Sequence, residues 1–179
     1  GYPLRLVFGG WPASTSGKWL HKISIRDKEH DGEKMGGISY RVPKYPVAPG
    51  ATVAEEDMKI IELMPVKSLI THPKTGATIK GKESFEVRGH AWAGDLHIKE
   101  MHVSLDYGST WKKCALDAAV NKNAWQQWRV QVSLPVKGYH EIWARATDSE
   151  GIMQPMVLPS WNPKGYLNNA CHRIAAKRD

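Results

Sequence analysis

The chain has 179 residues, of which 41% are hydrophobic and 24% are charged. This balance is typical of a globular protein of one or two domains and excludes a disordered chain. No apolar run reaches the length of about eighteen residues that indicates a membrane-spanning helix, so we expect no membrane span. The formal net charge of +7 suits an anionic substrate or an acidic redox partner. Since the basic residues are scattered, apart from those at 173–178, we expect no nucleic-acid partner.

The first twenty-five residues predict two strands that flank a loop. Residues 4–8 form a short apolar run, and residues 17–25 alternate between apolar and polar side chains. The loop between them, GGWPASTSG, consists of small and hydroxyl-bearing residues that leave backbone N–H groups accessible. Arg5 and Lys18 bracket it, and arginine and lysine are both common phosphate-binding residue types. The segment therefore suits an anion, although an ordinary hairpin connection has the same composition.

A charged segment without apolar periodicity follows at residues 26–37 and predicts a surface loop. It contains His30 and Asp31, but two ligand types without a third or fourth favour a solvated loop over a metal site. Residues 39–49 carry three prolines and predict a stiff, extended connector.

From about residue 60 the pattern changes to short alternating runs with a turn signal every eight to twelve residues. Such spacing predicts an antiparallel β-sandwich. In the run SFEVRGHAWA, alternate residues share a face: Phe85, Val87, Gly89 and Ala91 on one side, Arg88, His90 and Trp92 on the other. The turn at 106–109 contains Gly108, which can adopt positive φ.

Eight tryptophans are many for this length. Trp128 and Trp143 lie in strand patterns and are predicted core anchors. A row of exposed tryptophans would instead bind sugars, which requires coplanar rings on one face, and the dispersal of these residues argues against it. Cys114 and Cys171 are compatible with one disulfide or with two buried thiols. No CxxC spacing supports a zinc or iron–sulfur site.

Two separated groups of motifs resemble the sulfite oxidase family of molybdenum enzymes. GYPLRLV followed by GWPASTSGKWL is similar to the end of the family's cofactor domain. AWAG, SLDYGSTW, QQW and QPMVLPSWNPKGYLNNACHRI resemble the dimerisation domain of sulfite oxidases and plant nitrate reductases. The resemblance implies a mainly β protein, an immunoglobulin-like antiparallel β-sandwich preceded by a partial α+β molybdenum-cofactor-domain segment. Its divisions would be residues 1–37 (end of the molybdopterin-binding domain), 38–59 (Pro-rich connector) and 60–179 (dimerisation domain).

The resemblance also assigns residues to the molybdenum cofactor. By position, Arg5, Ser16, Gly17 and Lys18 would bind molybdopterin. Family members hold the metal through a pterin dithiolene and one cysteine thiolate. Both cysteines of this chain lie in the sandwich, so the thiolate ligand is expected outside this chain and no metal ligand is predicted within it.

Family members oxidise sulfite to sulfate and pass the electrons to a haem or a cytochrome. The resemblance thus implies sulfite or a related sulfur oxyanion as substrate and a cytochrome-type acceptor with haem on a partner protein. It also implies either a homodimer through the sandwich or a heteromer with a haem subunit. The chain begins at Gly1 without an initiator Met or a signal peptide, so we expect a part of a longer or processed protein. Its likeness to bacterial sulfite dehydrogenases implies a periplasmic location.

The substrate side departs from the family pattern. Animal members carry a substrate-contacting arginine after the AW-x-G motif, whereas residues 94–99 here read GDLHIK. His97 or Lys99 could take its place, and Tyr40 and Arg41 on the Pro-rich connector are further candidates at a pocket rim, with plain packing as the alternative. Sulfane-sulfur dehydrogenases and nitrate reductases share the scaffold and stay open as activities. A non-catalytic dimerisation module and an anion- or sugar-binding sandwich are the other hypotheses.

Overall fold

The structure, a computed structural model, describes residues 1–29, 32–33, 35–81 and 83–179. They form two compact units, one of residues 1–64 with 158–168 and the other of residues 65–157 with 169–179. The divisions proposed at residues 37 and 59 stay predictions. The His30–Asp31 pair lies outside the described residues.

The first unit has little regular structure. Strand β1 (Arg41–Pro43), within the predicted Pro-rich connector, pairs antiparallel with β2 (Met58–Ile60). The two strands predicted at 4–8 and 17–25 are wrong as strands: their described residues share one isolated bridge, between Arg5 and Lys18. The apolar side chains of both segments are largely exposed, and a two-stranded ribbon with no second layer over its apolar face is only marginally stable.

The second unit is a sandwich of two sheets. Its strands are β3 (Lys67–His72), β4 (Ala77–Ile79), β5 (Phe85–Trp92), β6 (Ile98–Ser104), β7 (Lys112–Lys113), β8 (Ala115–Leu116), β9 (Gln126–Val132), β10 (Gly138–Asp148) and β11 (His172–Arg178). One sheet has the order β4-β11-β10-β6-β7 and the other β3-β5-β9-β8. All these pairings are antiparallel except β4 with β11. The predicted immunoglobulin-like β-sandwich is confirmed.

The core lies between the two sheets and follows the alternation of their strands. In β5, Val87 and Ala91 are fully buried, as predicted, while Arg88 on the opposite face is exposed. Trp128 on β9 is a core residue, which confirms it as an anchor. The prediction for Trp143 is wrong in one respect. Trp143 is buried, but it alternates with the core residues of β10 and therefore lies on the outer face of its sheet.

Two glycines have positions that other residues would not fit. A Cβ at Gly89 would overlap the carbonyl oxygen of Leu69 on β3 and lie 2.7 Å from the Trp128 ring. In the turn after β6, Gly108 has a φ of 87°, as predicted, and Tyr107 before it has a φ of 59°. Asp106 fixes this turn by accepting hydrogen bonds from the Thr110 hydroxyl and amide, which lower the pKa of its carboxyl to about 2.

Polar side chains also tie the two sheets together. The Gln154 amide oxygen accepts hydrogen bonds from the Ser68 hydroxyl (2.6 Å) and from the backbone N–H of Ala146 (2.8 Å). Near them, the Ile70 N–H of β3 donates to Nδ1 of His172 on β11 at 3.0 Å. Because these bonds replace water for buried groups, they fix how the sheets face each other.

Both cysteines are buried free thiols, so the disulfide alternative is not realised. Burial raises the pKa of the Cys114 thiol to about 12 and also raises that of Cys171. The described residues contain no helix with the length and apolar character needed to cross a membrane.

Candidate cofactor-binding loop and substrate-side residues

The structure brings Arg5 and Lys18 directly opposite each other across an antiparallel bridge. Hydrogen bonds flank the bridge: the Leu6 N–H donates to the Gly17 carbonyl at 2.9 Å, and the Leu20 N–H donates to the Leu4 carbonyl at 3.1 Å. Opposed residues of such a pair project on the same side, where like charges destabilise each other. Both side chains are exposed. A bound anion would turn this repulsion into attraction.

The loop between the two cations is held by its own hydrogen bonds. A short 3-10 helix, Ala13–Thr15, forms its tip, and the Thr15 hydroxyl donates to the Pro12 carbonyl at 2.8 Å. The Ser16 N–H donates to the Ala13 carbonyl at 3.0 Å, and its hydroxyl oxygen accepts from the Phe8 N–H at 3.2 Å. That acceptor role leaves the hydroxyl proton of Ser16 available to a ligand.

Gly17 presents open backbone beside the two cations. A Cβ built on it would meet no atom within 4 Å, and the residue is exposed. Within the described part of the chain, its N–H has no acceptor. An anion can therefore approach this amide closely, which a larger residue would hinder.

Residues at both ends of the loop, Trp19 and Gly10, make further contacts. The Lys18 ammonium lies 4.9 Å from the centroid of the Trp19 ring, and Trp19 has a φ of 52°. Gly10, with a φ of 77°, accepts a hydrogen bond from the Met64 N–H at 2.8 Å. Two cations, one free amide and one hydroxyl are a donor set that suits the phosphate of a pterin cofactor.

Arg41 and Tyr40, the two candidates on the Pro-rich connector, make contacts with other residues of the first unit. The Nη1 atom of Arg41 donates to the carbonyls of residues 35, 37 and 39 at 3.1, 2.9 and 3.2 Å, and its Nη2 atom pairs with Glu29 at 3.1 Å. Its side chain is 13% exposed. Tyr40 stacks on Tyr166 with 5.8 Å between ring centroids. Arg41 therefore holds the turn before it, and its two terminal nitrogens have protein acceptors.

His97 lines a cavity of about 380 Å³ in the second unit. Lys122 and Asn121 line it as well, together with Asp95, whose carboxylate accepts a hydrogen bond from Asn123 at 2.8 Å. No motif in the sequence pointed to this Asn-Lys-Asn segment as part of a cavity. No local pattern links it to residues 94–97, because the fold brings together segments almost thirty residues apart. Lys99 lies two residues beyond His97, exposed on β6.

Two of the dispersed tryptophans do meet. The rings of Trp92 and Trp125 stack with centroids 4.2 Å apart and planes 13° from parallel, and Trp125 is 54% exposed. The two rings cover one another, so this pair is not the row of coplanar rings that a sugar platform requires. Among the described residues, no group of three His, Cys, Asp or Glu side chains could hold a metal ion.

Comparison with protein families identifies both parts of the chain. Residues 58–179 match the family described as Mo-co oxidoreductase dimerisation domain, and residues 1–34 match the oxidoreductase molybdopterin binding domain. These ranges contain the sandwich and the Arg5–Lys18 loop respectively.

Curated relatives include sulfite oxidases and nitrate reductases. The chain is 32% identical to mitochondrial sulfite oxidase of Homo sapiens over 97% of its own length and 33% of that protein. It is 32% identical to sulfite oxidase of Gallus gallus over 96% of its length and 38% of that protein. It is 29% identical to NADH nitrate reductase of Lotus japonicus over 97% of its own length and 21% of that protein. The chain thus spans about one third of the length of the sulfite oxidases it matches.

A solved structure has the same fold. The sulfane dehydrogenase SoxCD from Paracoccus pantotrophus superposes with a TM-score of 0.76 at 27% identity, over 97% of this chain and 43% of that one.

Proposed function

Because this chain belongs to the sulfite oxidase family of molybdenum oxidoreductases, we propose that it is part of an enzyme that oxidises sulfite to sulfate. Sulfite gains one oxygen atom from water and loses two electrons, while that water releases two protons; the electrons go to a cytochrome-type acceptor with its haem on a partner protein. The complete protein acts as a homodimer through the sandwich and is periplasmic. The likeness to sulfite oxidases at about one third identity supports this substrate.

The observation that carries the proposal is the pair of cations facing each other beside the open amide of Gly17. In the proposal, Arg5 grips a phosphate oxygen pair of molybdopterin and Lys18 supplies a second positive charge. The Gly17 N–H and the Ser16 hydroxyl complete the set of donors. When bound, the molybdenum cofactor supplies the two-electron redox chemistry at sulfur, and these four residues orient it by its phosphate.

On the substrate side we propose His97 as the residue that faces the sulfur oxyanion, from the cavity that it shares with Lys122. A hydrogen bond donated by His97, with the Lys122 ammonium lining the same cavity, would stabilise the dianionic product. Lys99 is exposed nearby in sequence and serves as the second candidate. For Arg41 and Tyr40 we propose a supporting role, since their observed contacts hold the preceding turn and Tyr166.

The experiment compares the complete protein with Arg5→Ala and Lys18→Ala. Charge-assisted hydrogen bonds contribute about 1.5–3 kcal/mol each, so molybdenum retained per protomer after gel filtration should fall about tenfold in either variant. Lys22→Ala is the matched control, an exposed cation on the same segment. Unchanged molybdenum in both loop variants would contradict the assigned roles. Elemental analysis measures retention, and sulfite turnover is recorded in parallel.

A second activity, sulfane dehydrogenation, is favoured by the fold match to SoxCD over 97% of the chain. Turnover of the loaded enzyme with sulfite, with a protein-bound sulfane sulfur and with nitrate separates the candidates. A rate with sulfite at least about a hundredfold above the others supports the first. His97→Ala should raise the KM for the true substrate without loss of molybdenum, and Lys99→Ala should do so less.

A further inference from the structure

The cavity beside His97 has walls from two separate segments of the sandwich. One wall comes from the turn after β5 and the other from residues 119–126, which lead into β9. The charged side chains that line the cavity are Asp95 and Lys122, and the His97 ring adds a hydrogen-bond donor. An anion that enters this cavity therefore meets one cation and one carboxylate.

The backbone around His97 is held on both sides. The Ile98 N–H donates to the side-chain oxygen of Gln126 at 2.7 Å, and Gln126 is 6% exposed. The amide nitrogen of Gln126 donates in turn to the Asp117 carbonyl at 3.2 Å. The His97 carbonyl accepts a hydrogen bond from the Ser149 N–H at 2.9 Å. These bonds fix the position of His97 without any contribution from the exposed turn at 121–123.

Asn123 ties that turn to the segment on the other wall. Its side-chain amide donates to the Gly94 carbonyl at 3.1 Å and to the Asp95 carboxylate at 2.8 Å. Asn123 has a φ of 67°, a left-handed conformation that asparagine tolerates better than most residues. Both hydrogen bonds join segments almost thirty residues apart, so this one half-buried side chain sets where the Asp95 carboxylate lies relative to the turn.

Lys122 and His97 have side chains that no other part of the described chain engages. Among the described residues, neither the Lys122 ammonium nor the His97 ring has a hydrogen-bond or ion-pair partner. The Asp95 carboxylate lines the same cavity, yet its partner is the neutral amide of Asn123. The cavity thus contains a cation and a carboxylate that are not paired with each other.

The Asn123 amide competes with the Lys122 ammonium for the Asp95 carboxylate. A lysine ammonium sits on a flexible stem and pairs with a carboxylate that it can reach. Exposed ion pairs contribute little to stability, so a modest competing interaction decides whether the pair forms. A hydrogen bond donated to an ionised carboxylate is stronger than one between neutral groups. With Asn123 in place, the Lys122 ammonium is left to an anion from solution, whereas without it Asp95 is free to take that ammonium.

We propose that Asn123 is a positioning residue, which holds the Asp95 carboxylate so that Lys122 stays available to the sulfur oxyanion. The inference rests on the proposed function, in which the oxyanion binds at His97, and it adds the residue that keeps the cation of this cavity free. Asn123 itself touches no substrate. Its loss should weaken anion binding through Asp95, and the effect should disappear when residue 95 no longer carries a charge.

A double-mutant cycle in the complete, molybdenum-loaded protein tests the proposal. Asn123→Gly removes the amide and suits the positive φ, and Asp95→Asn removes the carboxylate charge. Asn123→Gly should raise the KM for sulfite about fivefold with kcat unchanged, and in the Asp95→Asn background it should change the KM by less than about twofold. The dissociation constant of sulfate, measured by titration, should follow the KM and requires no turnover. Asn121→Gly is the matched control, because it removes an amide from the same turn and the same cavity lining.

Each outcome decides the proposal. Unchanged constants in Asn123→Gly overturn it, and so does an equal effect in both backgrounds, because Asn123 would then act by shaping the turn alone. An effect as large for Asn121→Gly overturns it as well. If these results accompany a raised KM in His97→Ala, the proposed function stands without this inference. If the wild type does not oxidise sulfite, the proposed activity is wrong, and the sulfate constants alone decide the role of Asn123. Thermal unfolding and molybdenum content confirm that each variant is folded and loaded.

Discussion

The two units use their apolar residues in opposite ways. In the sandwich, alternate residues of neighbouring strands are removed from water, and Val87, Met101 and Ile142 have no exposed surface. In the opening segment, Leu4 and Val7 are mostly exposed and Ile25 is 99% exposed. Both regions have apolar alternation in sequence, yet strands form where a second sheet covers the apolar face. Alternation of apolar and polar residues therefore predicts a β-strand where a second layer of the protein covers the apolar face.

The largest expected effect compares a glycine from each region. Gly89→Ala should destabilise the sandwich by about 3 kcal/mol or more, because the new methyl group overlaps the Leu69 carbonyl and cannot be accommodated without moving β3. Gly17→Ala should change stability by less than about 0.5 kcal/mol, since its Cβ enters open space. Denaturant unfolding of the complete protein measures both.

Molybdenum content should show the reverse order for the same two variants. Gly17→Ala adds a methyl group beside the amide assigned to the cofactor phosphate and should lower retention. Folded Gly89→Ala protein should retain its metal. If Gly17→Ala keeps full molybdenum and Gly89→Ala unfolds as late as the wild type, the contrast between a packed layer and an open loop is wrong.

The sandwich could be predicted from the sequence because its strands show apolar alternation and its turns contain typical turn residues. The alternation of β5 placed Val87 and Ala91 in the core correctly, and Gly108 was recognised from its turn. Strand β11 was missed, since its charges suggested a basic tail. In the sandwich, Ile174 and Ala176 point to the core, and the buried Arg178 donates to the carbonyls of Leu134 and Pro135. A buried arginine of this kind depends on carbonyls over forty residues away, which no local pattern reports.

The residues of the candidate site could be assigned from family likeness, but their arrangement could not be predicted from the sequence. Family likeness assigned Arg5 and Lys18, and the structure adds that they face each other across one bridge. Composition alone could not have assigned Arg5 and Lys18 to a cofactor, because the same residues would occur in an ordinary hairpin. The outer position of Trp143 was missed for a related reason. Strand β10 has buried residues on both faces, so the burial of Trp143 does not tell the core side from the outer side.

A smaller effect concerns pH and the tie between the sheets of the sandwich. Nδ1 of His172 accepts a hydrogen bond from the Ile70 N–H, and burial, with Lys67 adding to it, lowers the pKa of this histidine. A lowered folded pKa means that the stabilisation is present above the unfolded value, near 6.5, and is lost as the pH falls through the folded value. We expect the free energy of unfolding to decrease from pH 7.5 to 5.

The control for the pH effect is a pair of variants. His172→Gln removes the titrating group, so the free energy of unfolding should decrease less between pH 7.5 and 5 in this variant. His102, whose pKa is lowered mainly by burial, has the same sign, so His102→Gln should remove another part. Equal slopes for the wild type and His172→Gln would show that the bond to Ile70 does not couple stability to pH. Urea unfolding at each pH provides the slopes.

The smallest expected signal is thiol reactivity, which separates burial in the sandwich from exposure in the opening loop. A thiol with its pKa at about 12 carries almost no thiolate at pH 8, and Cys114 is buried as well. We expect an aromatic disulfide reagent to label neither Cys114 nor Cys171 in the native protein, and to label both in denaturant. A cysteine placed at Ser14, on the exposed loop, should react at once without unfolding. Labelling of the native wild type as fast as Ser14→Cys would mean that the sheets open frequently, since the reagent reaches these sulfurs after the layers separate.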